Sequence, residues 1–290
     1  MIHRAAKRKR NIFTPLFYYI ILVLVGILVI VPFLWVIGNS FKGRTELNRF
    51  TELGLYTFLP ESFVLDNYRR LFSSEEVQIS FLKVFYNTVY VGLVAVAVNL
   101  FVNSLAAYSF ARIKFFARNT VFLLILFLLI IPADILLLPQ YKLIKDMGLL
   151  DTLTAVVLPA VANPFMIFFL RQFFLEIPKD LEDAATIDGC GRWRIFYRVM
   201  LPLVKGPVFT VSILVFLTQW DNYIWPTTII SGLDKYVLQM AIAFLAIAQY
   251  ETDFGAMYAG AVLSIIPIIL LFISIQKHYV ENMATSGIKG

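Results

Sequence analysis

The 290-residue chain is 60% hydrophobic, carries 15% charged residues and has a formal net charge of +6. Soluble proteins carry about 25% charged residues, so this composition excludes a water-soluble globular domain and calls for a lipid environment. The basic excess follows from membrane topology, as shown below, and gives no reason to invoke a nucleic-acid partner.

A helix needs about 20 apolar residues to cross a bilayer. Residues 14–41, 84–111, 152–170 and 254–276 contain no Asp, Glu, Lys or Arg. Two shorter runs, 119–133 and 206–220, become spans if Asp134 and Asp221 sit near a membrane surface. Six spans are therefore expected, at 14–41, 84–110, 118–138, 153–174, 204–227 and 255–277. The predicted fold is all-α, a polytopic membrane protein.

The first span follows the basic stretch HRAAKRKR. Its apolar run is about twice the length of a signal-peptide core and leads to no convincing cleavage site, so a retained span with a cytoplasmic N-terminus is expected. Segments 1–13, 111–118, 171–206 and 277–290 are then cytoplasmic and hold 16 of the 25 Lys and Arg. Cytoplasmic loops are enriched in these residues. Both termini are cytoplasmic in this reading. The layout is a basic N-terminus over 1–13, one transmembrane domain over 14–277 that includes a cytoplasmic loop at 176–206, and a tail over 278–290. The single cysteine, Cys190, has no internal partner and lies on the reducing side.

Between the first two spans, Pro60 and then Asp66–Asn67–Tyr68 predict a turn and a short helix at the membrane surface, with Phe58, Phe63, Tyr68 and Phe72 as an interfacial belt or as part of an ordinary loop. The second span carries Asn87, Gly92, Asn99, Asn103, Ser104 and Ala107. Such residues suit close helix packing, and Asn99 and Asn103 equally suit a polar path. In the third span Pro132 and Pro139 are expected to break the helix, placing Asp134 at the outer surface. Asn163–Pro164 predicts a kink in the fourth span. The fifth closes with QWDNYIWP, where Gln219, Asp221 and Asn222 alternate with Trp220, Tyr223 and Trp225. Aromatic rings beside amides suit either a sugar or an interfacial belt.

No catalytic constellation is present. His3 and His278 lie at the chain ends, with no cysteine or carboxylate at metal-ligand spacing, and there is no GxxxxGK[ST] phosphate loop. The chain is expected to be no enzyme and to hold no metal or cofactor.

The stretch Glu176–Gly206, EIPKDLEDAATIDGCGRWRIFYRVMLPLVKG, is a polar island between apolar runs. Pro178 suits the first turn of a helix, Lys179–Asp188 forms that helix, and Gly189 suits its left-handed end. Leu181, Ala184 and Ala185 are expected on one face. A second helix over Arg192–Met200 places Trp193, Phe196, Tyr197 and Met200 on one side and stops near Pro202. The elbow serves either to dock on another protein or to lie on lipid headgroups. Its acidic first helix favours the protein.

Asp183–Ala184–Ala185, Gly189 and Val199–Met200–Leu201–Pro202 resemble, in type and spacing, the EAA loop of bacterial ABC-importer permeases, with Asp183 where that family usually has Glu. FLPESFVLDNYRRLF, GLLDT, WDNYIWP and the ending SGIKG are similar to the carbohydrate-uptake branch, in particular the second permease of maltose-type importers. The resemblance implies a bacterial cytoplasmic-membrane permease that imports a sugar or oligosaccharide. It implies a second permease, two ATPase subunits that bind ATP and Mg, and an extracellular solute-binding protein as partners. It assigns Glu182, Asp183, Ala184, Ala185, Gly189 and Pro202 to ATPase coupling and Ser286, Gly287, Ile288, Lys289 and Gly290 to a tail contact with the ATPase. Asn99, Asn103, Asn163, Gln219 and Asn222 are candidates for the substrate path. Other small polar solutes (a polyamine, a glycerol phosphate) are the alternative cargo. An ion-coupled transporter would need carboxylates at mid-membrane and repeated spans, and the sequence shows neither.

Overall fold

A computed structural model of the chain describes residues 13–49, 54, 57–73, 79–247 and 253–286. Among the described residues all regular structure is helical. The principal helices in chain order are α1 (Phe13–Ser40), α2 (Asp66–Phe72), α3 (Phe81–Arg112), α4 (Arg118–Phe127), α5 (Leu137–Asp146), α6 (Leu153–Val157), α7 (Pro164–Glu176), α8 (Asp180–Ile187), α9 (Arg192–Ile195), α10 (Lys205–Trp220), α11 (Ile224–Ile229), α12 (Leu238–Ile247) and α13 (Phe254–Ser286).

Among the described residues, three stretches are long and apolar enough to cross a membrane unbroken: Phe17–Ser40, Phe81–Arg112 and Phe254–Ser274. Three more reach that length only as bent pairs. Arg118–Ile130 turns by 100° into Ala133–Asp146, Leu153–Ala160 by 49° into Pro164–Glu176, and Arg192–Leu203 by 82° into Lys205–Trp220. The straight helix within the third expected span therefore stops at Ile130, short of residue 138. Pro132 lacks an N–H and drives the residue before it out of the helical region; Ile131 accordingly has φ −76° and ψ 119°. Pro139, expected to break a helix, instead lies in the first turn of α5, where N–H groups have no intrahelical acceptor in any case. The helix of the fifth expected span likewise ends at Trp220, and Ile224–Ile229 is the separate helix α11.

The chain divides into two compact units, 1–71 with 245–290, and 72–244. In the first, α1 packs on α13, with Trp35 edge-on to Tyr258 at 5.4 Å. The side chains of α1 are otherwise largely exposed, Leu28 by 75%, as a helix facing lipid requires. A buried polar latch closes this unit. Asn67 of the predicted surface helix donates to the carbonyls of Ser40 and Lys42, both at 2.8 Å. Its Oδ1 accepts from Arg70 at 2.6 Å, and Arg70 donates to Asp253 at 3.1 Å. Asp253 also accepts from Arg44 at 3.0 Å and from the Ala256 N–H at 2.9 Å, so it caps α13. A β-carbon on Gly255 would lie 2.2 Å from Asn67 Oδ1, which explains glycine there.

The second unit is organised around α3. Its polar residues close on breaks in the neighbouring backbone. Asn87 donates to the carbonyls of Asp234 and Tyr236, both at 3.0 Å, and Thr88 accepts from the Leu238 N–H at 2.8 Å. Asn99 donates to Ala160 O at 2.7 Å, Asn103 donates to Val161 O at 3.1 Å, and the Asn163 N–H donates to Asn103 Oδ1 at 2.9 Å. These bonds satisfy the bend between α6 and α7, where the helical ladder is interrupted. Backbone groups inside hydrocarbon need such partners. Gly92 admits the Phe216 ring, which would lie 2.7 Å from a β-carbon.

The GLLDT stretch is a local joint. Gly148, with φ +70°, ends α5, and the Thr152 hydroxyl accepts from the Ala155 N–H at 3.2 Å to start α6. Between them Asp151 accepts from the Ser231 and Gly232 N–H groups at 3.0 and 2.9 Å and from Lys235 Nζ. The lysine and these N–H groups hold the Asp151 carboxyl at about 2, against an ordinary value of 3.8, and Asp151 in turn raises Lys235. The unfolded chain therefore binds the Asp151 proton more readily than the native one. Stability from this contact is present above pH 4 and is lost as pH falls toward 2. The expected result is that Asp151→Asn flattens the acid decline of the thermal midpoint between these values, measured on detergent-purified protein. An unchanged acid limb would contradict it.

Candidate coupling site

The polar island folds as two short helices joined by a left-handed turn. Lys179 is the N-cap of α8, so Pro178 precedes the helix instead of occupying its first turn. Asp180, Glu182 and Asp183 fill that first turn, where negative charge complements the helix dipole. Gly189 ends the helix with φ +78°. The Gly189 N–H donates to Thr186 O at 3.0 Å and the Cys190 N–H to Ala185 O at 2.9 Å. This pair of bonds closes a helix through one left-handed residue, and it was legible from glycine alone.

The faces of α8 differ from the expected arrangement. Ala185 is buried and packs in the core of this unit with Cys190 against it. Leu181, Asp183, Ala184 and Ile187 are exposed, Ile187 by 86%. The two alanines therefore do not share one buried face, because α8 lies with its Glu182–Ala185 edge inward. Its outer side is an apolar strip of Leu181, Ala184 and Ile187 beside the carboxylates. The second predicted helix divides as well. Residues of α9 lead into a π turn over Phe196–Met200, where the Leu201 N–H reaches back to Phe196 O. Pro202 follows in the turn Leu201–Leu203; it has no N–H and would press on the carbonyl four residues back, and a π turn relieves that crowding. Phe196 and Met200 are buried, whereas Trp193 and Tyr197 are exposed.

Glu182 points inward toward Arg112 at the end of α3. The closest approach of the pair is 3.9 Å. Arg112 also donates to the carbonyls of Phe174, at 2.6 Å, and Ile177 at the end of α7. One turn earlier on α3, the Tyr108 ring packs against Phe174 at 5.8 Å and Phe196 at 5.2 Å. Sequence reading had no reason to select Arg112, because an arginine at the end of a span is what topology alone predicts.

The substrate-path candidates are dispersed. Asn99 and Asn103 are buried and hydrogen-bonded to the bend before α7, with Asn99 Oδ1 left without a hydrogen bond. Asn163 caps α7 by accepting from the Phe165 and Met166 N–H groups at 2.9 and 3.2 Å. Gln219 is buried with its Oε1 unpaired, and Asn222 is half-buried beyond the end of α10. Trp220 and Trp225 are core residues; the Trp225 indole N–H donates to Ala155 O at 3.0 Å. Ser286 is the last residue of α13, and its side chain, with Gly287, Ile288, Lys289 and Gly290, lies outside the described residues. Among the described residues no group of His, Cys, Asp or Glu is placed to hold a metal ion.

Residues 103–285, including the whole island, match the family described as binding-protein-dependent transport system inner membrane component. The chain belongs to this family. It is 36% identical, over 92% of this chain and 93% of the relative, to the arabinooligosaccharides transport system permease protein AraQ of Halalkalibacterium halodurans. It is 32% identical to the lactose transport system permease protein LacG of Rhizobium radiobacter, over 92% of this chain and 94% of that one. The fold matches a chain of a bacterial ABC transporter involved in the import of the acidic polysaccharide alginate, with TM-score 0.82, 21% identity and coverage of 96% of this chain and 100% of that one. The protein is thus an inner-membrane permease of an ABC import system and not itself an enzyme. Membership implies a binding protein, an ATPase and a partner permease in general terms.

Proposed function

We propose that this permease carries a sugar or oligosaccharide delivered by an extracellular solute-binding protein. It does so as one of two unlike permeases driven by a pair of cytoplasmic ATPase subunits, which bind ATP and Mg. In this reading residues 14–277 form one domain of six spans, three of them bent, with the 1–13 and 278–290 segments both in the cytoplasm. The relatives named for arabinooligosaccharide and lactose transport support the cargo class.

The observation that carries the coupling role is the exposed apolar strip Leu181, Ala184 and Ile187 on a helix whose other edge is anchored in the core. Such a strip, flanked by Asp180 and Asp183, suits a complementary groove on a protein. Closure of the ATPases on ATP would press on α8, and its rigid glycine turn would pass the movement to the spans. Asp183, Ala184, Ala185, Gly189 and Pro202 shape this element. Gln219 and Asn222 remain the candidates for touching cargo. The 286–290 tail is a second proposed ATPase contact.

Ala184→Arg tests the docking. The side chain is exposed, so the permease is expected to insert and to pair with its partner permease normally. Copurification of the ATPase and uptake of labelled sugar should each fall by about tenfold or more, as for a residue central to an interface. Normal uptake by this variant, or failure of any ATPase to copurify with the unaltered protein, would overturn the reading.

A further inference from the structure

Two arginines lock the ends of α3 and α7 to each other. The last carbonyls of a helix lack intrahelical donors and carry the negative end of its dipole. Arg171 of α7 donates to Phe110 O of α3 at 3.2 Å. In return Arg112 of α3 donates to the carbonyls of Phe174, at 2.6 Å, and Ile177 where α7 ends. Arg112 differs from Arg171 in having a third element within reach. Its other terminal nitrogen lies 3.9 Å from Glu182 of α8, with side-chain exposures of 5% and 17%.

The contact is incomplete on both sides. Arg112 Nε and Glu182 Oε1 are buried and have no hydrogen-bond partner. The Arg112 Nη that faces Glu182 donates to neither carbonyl, whereas the other Nη, which a two-point fork would need, is held by Phe174 and Ile177. A small shift of α8 toward α3 would shorten this one long contact into a charge-assisted hydrogen bond in a site sheltered from water. Its strength there exceeds that of an exposed pair.

We propose that Arg112 is the positioning residue through which displacement of α8 reaches α3 and α7. One guanidinium grips the carbonyl end of α7 and the carboxylate of α8 together, and the Arg112–Glu182 pair tightens when α8 is pushed inward. This rests on the proposed docking of α8. The two claims separate because Ala184 lies on the outer face and Glu182 on the inner one. Docking depends on the first and transmission on the second.

The test uses the complete importer, both permeases with ATPase and binding protein, reconstituted in proteoliposomes with its transported sugar. Arg112→Gln and Glu182→Gln are expected to retain the ATPase and to hydrolyse ATP at the normal rate. Sugar moved per ATP should fall by about tenfold, within the range for coupling between sites. Arg112→Lys should recover part of the ratio, since a single ammonium keeps the charge but cannot fork between carbonyls and carboxylate. Ala184→Arg, in contrast, should lose the ATPase. An unchanged ratio in Glu182→Gln overturns the proposal, even where Arg112→Gln fails to assemble, because that variant leaves the α7 end capped. Loss of the ATPase from both glutamine variants also overturns it, since the pair would then serve docking. Normal ATPase retention and uptake in Ala184→Arg would refute docking without touching the ratio measured for Glu182→Gln.

Discussion

Asp253→Ala is expected to destabilise the permease by about 3–5 kcal/mol, the cost of removing one partner from a buried ion pair. Asp253 and Arg70 are each 7% exposed, and their contact is 3.1 Å. Two lesser losses accompany it. The cap on the Ala256 N–H contributes about 1 kcal/mol, and the half-exposed Arg44 contact contributes less than that by the rule for surface pairs. The buried charge of Arg70, left with the largely exposed Asp66 at 3.6 Å, dominates. Asp253→Asn keeps a capping oxygen and should lie between the two proteins. The double variant Arg70→Met/Asp253→Leu should recover much of the loss, because apolar replacement of both partners removes the desolvation problem. Unfolding monitored on detergent-purified protein decides the matter. An Asp253→Ala loss below about 1 kcal/mol would show that the latch is peripheral.

The second large effect is expected at Asn103. The residue is 0% exposed, and Leu has nearly its shape without its polar atoms. Asn103→Leu leaves Val161 O and the Asn163 N–H without the bonds at 3.1 and 2.9 Å that now join them to α3. A buried group stripped of its partner costs about 1–3 kcal/mol. Hydrogen bonds between membrane helices average nearer 0.6 kcal/mol because the unfolded state in lipid finds other partners. The bend between α6 and α7 has no helical partners of its own to fall back on, so the higher estimate applies, about 2–6 kcal/mol for the two groups. Asn99→Leu, which removes the bond to Ala160 O at 2.7 Å, should cost about half as much. Equal, small effects at both positions would mean that the bend is satisfied by other means.

What the sequence disclosed and what it hid follow from how far apart the cooperating residues lie. Gly189 was legible because a left-handed helix end needs only the residues within one turn. Pro132 was legible for the same reason. Pro139 misled because its effect depends on where the next helix begins, and that start is set by the turn at Ile131–Pro132. The amides of the second span were visible as polar, but Asn99 and Asn103 meet backbone about 60 residues away. Nothing local distinguishes that role from lining a path. The family was readable from the resemblance of Asp183–Ala184–Ala185, Gly189 and Leu201–Pro202 to its loop motif. The inward edge of α8, and with it the role of Glu182 toward Arg112, is a product of tertiary packing. Trp220 and Trp225 stand in a motif that reads equally as belt or sugar platform, yet both rings are interior.

The latch at Asp253 also imposes an order on biosynthesis. Arg70 and its carboxylate are 183 residues apart in the chain. At translation speeds of about 5–20 residues per second, the guanidinium is made about 10–40 s before its counter-ion. Throughout that interval the first helix, the surface helix α2 and the nascent middle of the chain must coexist with a cation that has the largely exposed Asp66 at 3.6 Å but lacks its buried counter-ion. A chain interrupted before residue 253 never acquires the buried counter-ion. Such a product carries a permanently unfinished first unit, whatever the state of the residues between, and that makes completion of the last helix the step that commits the protein to its final form.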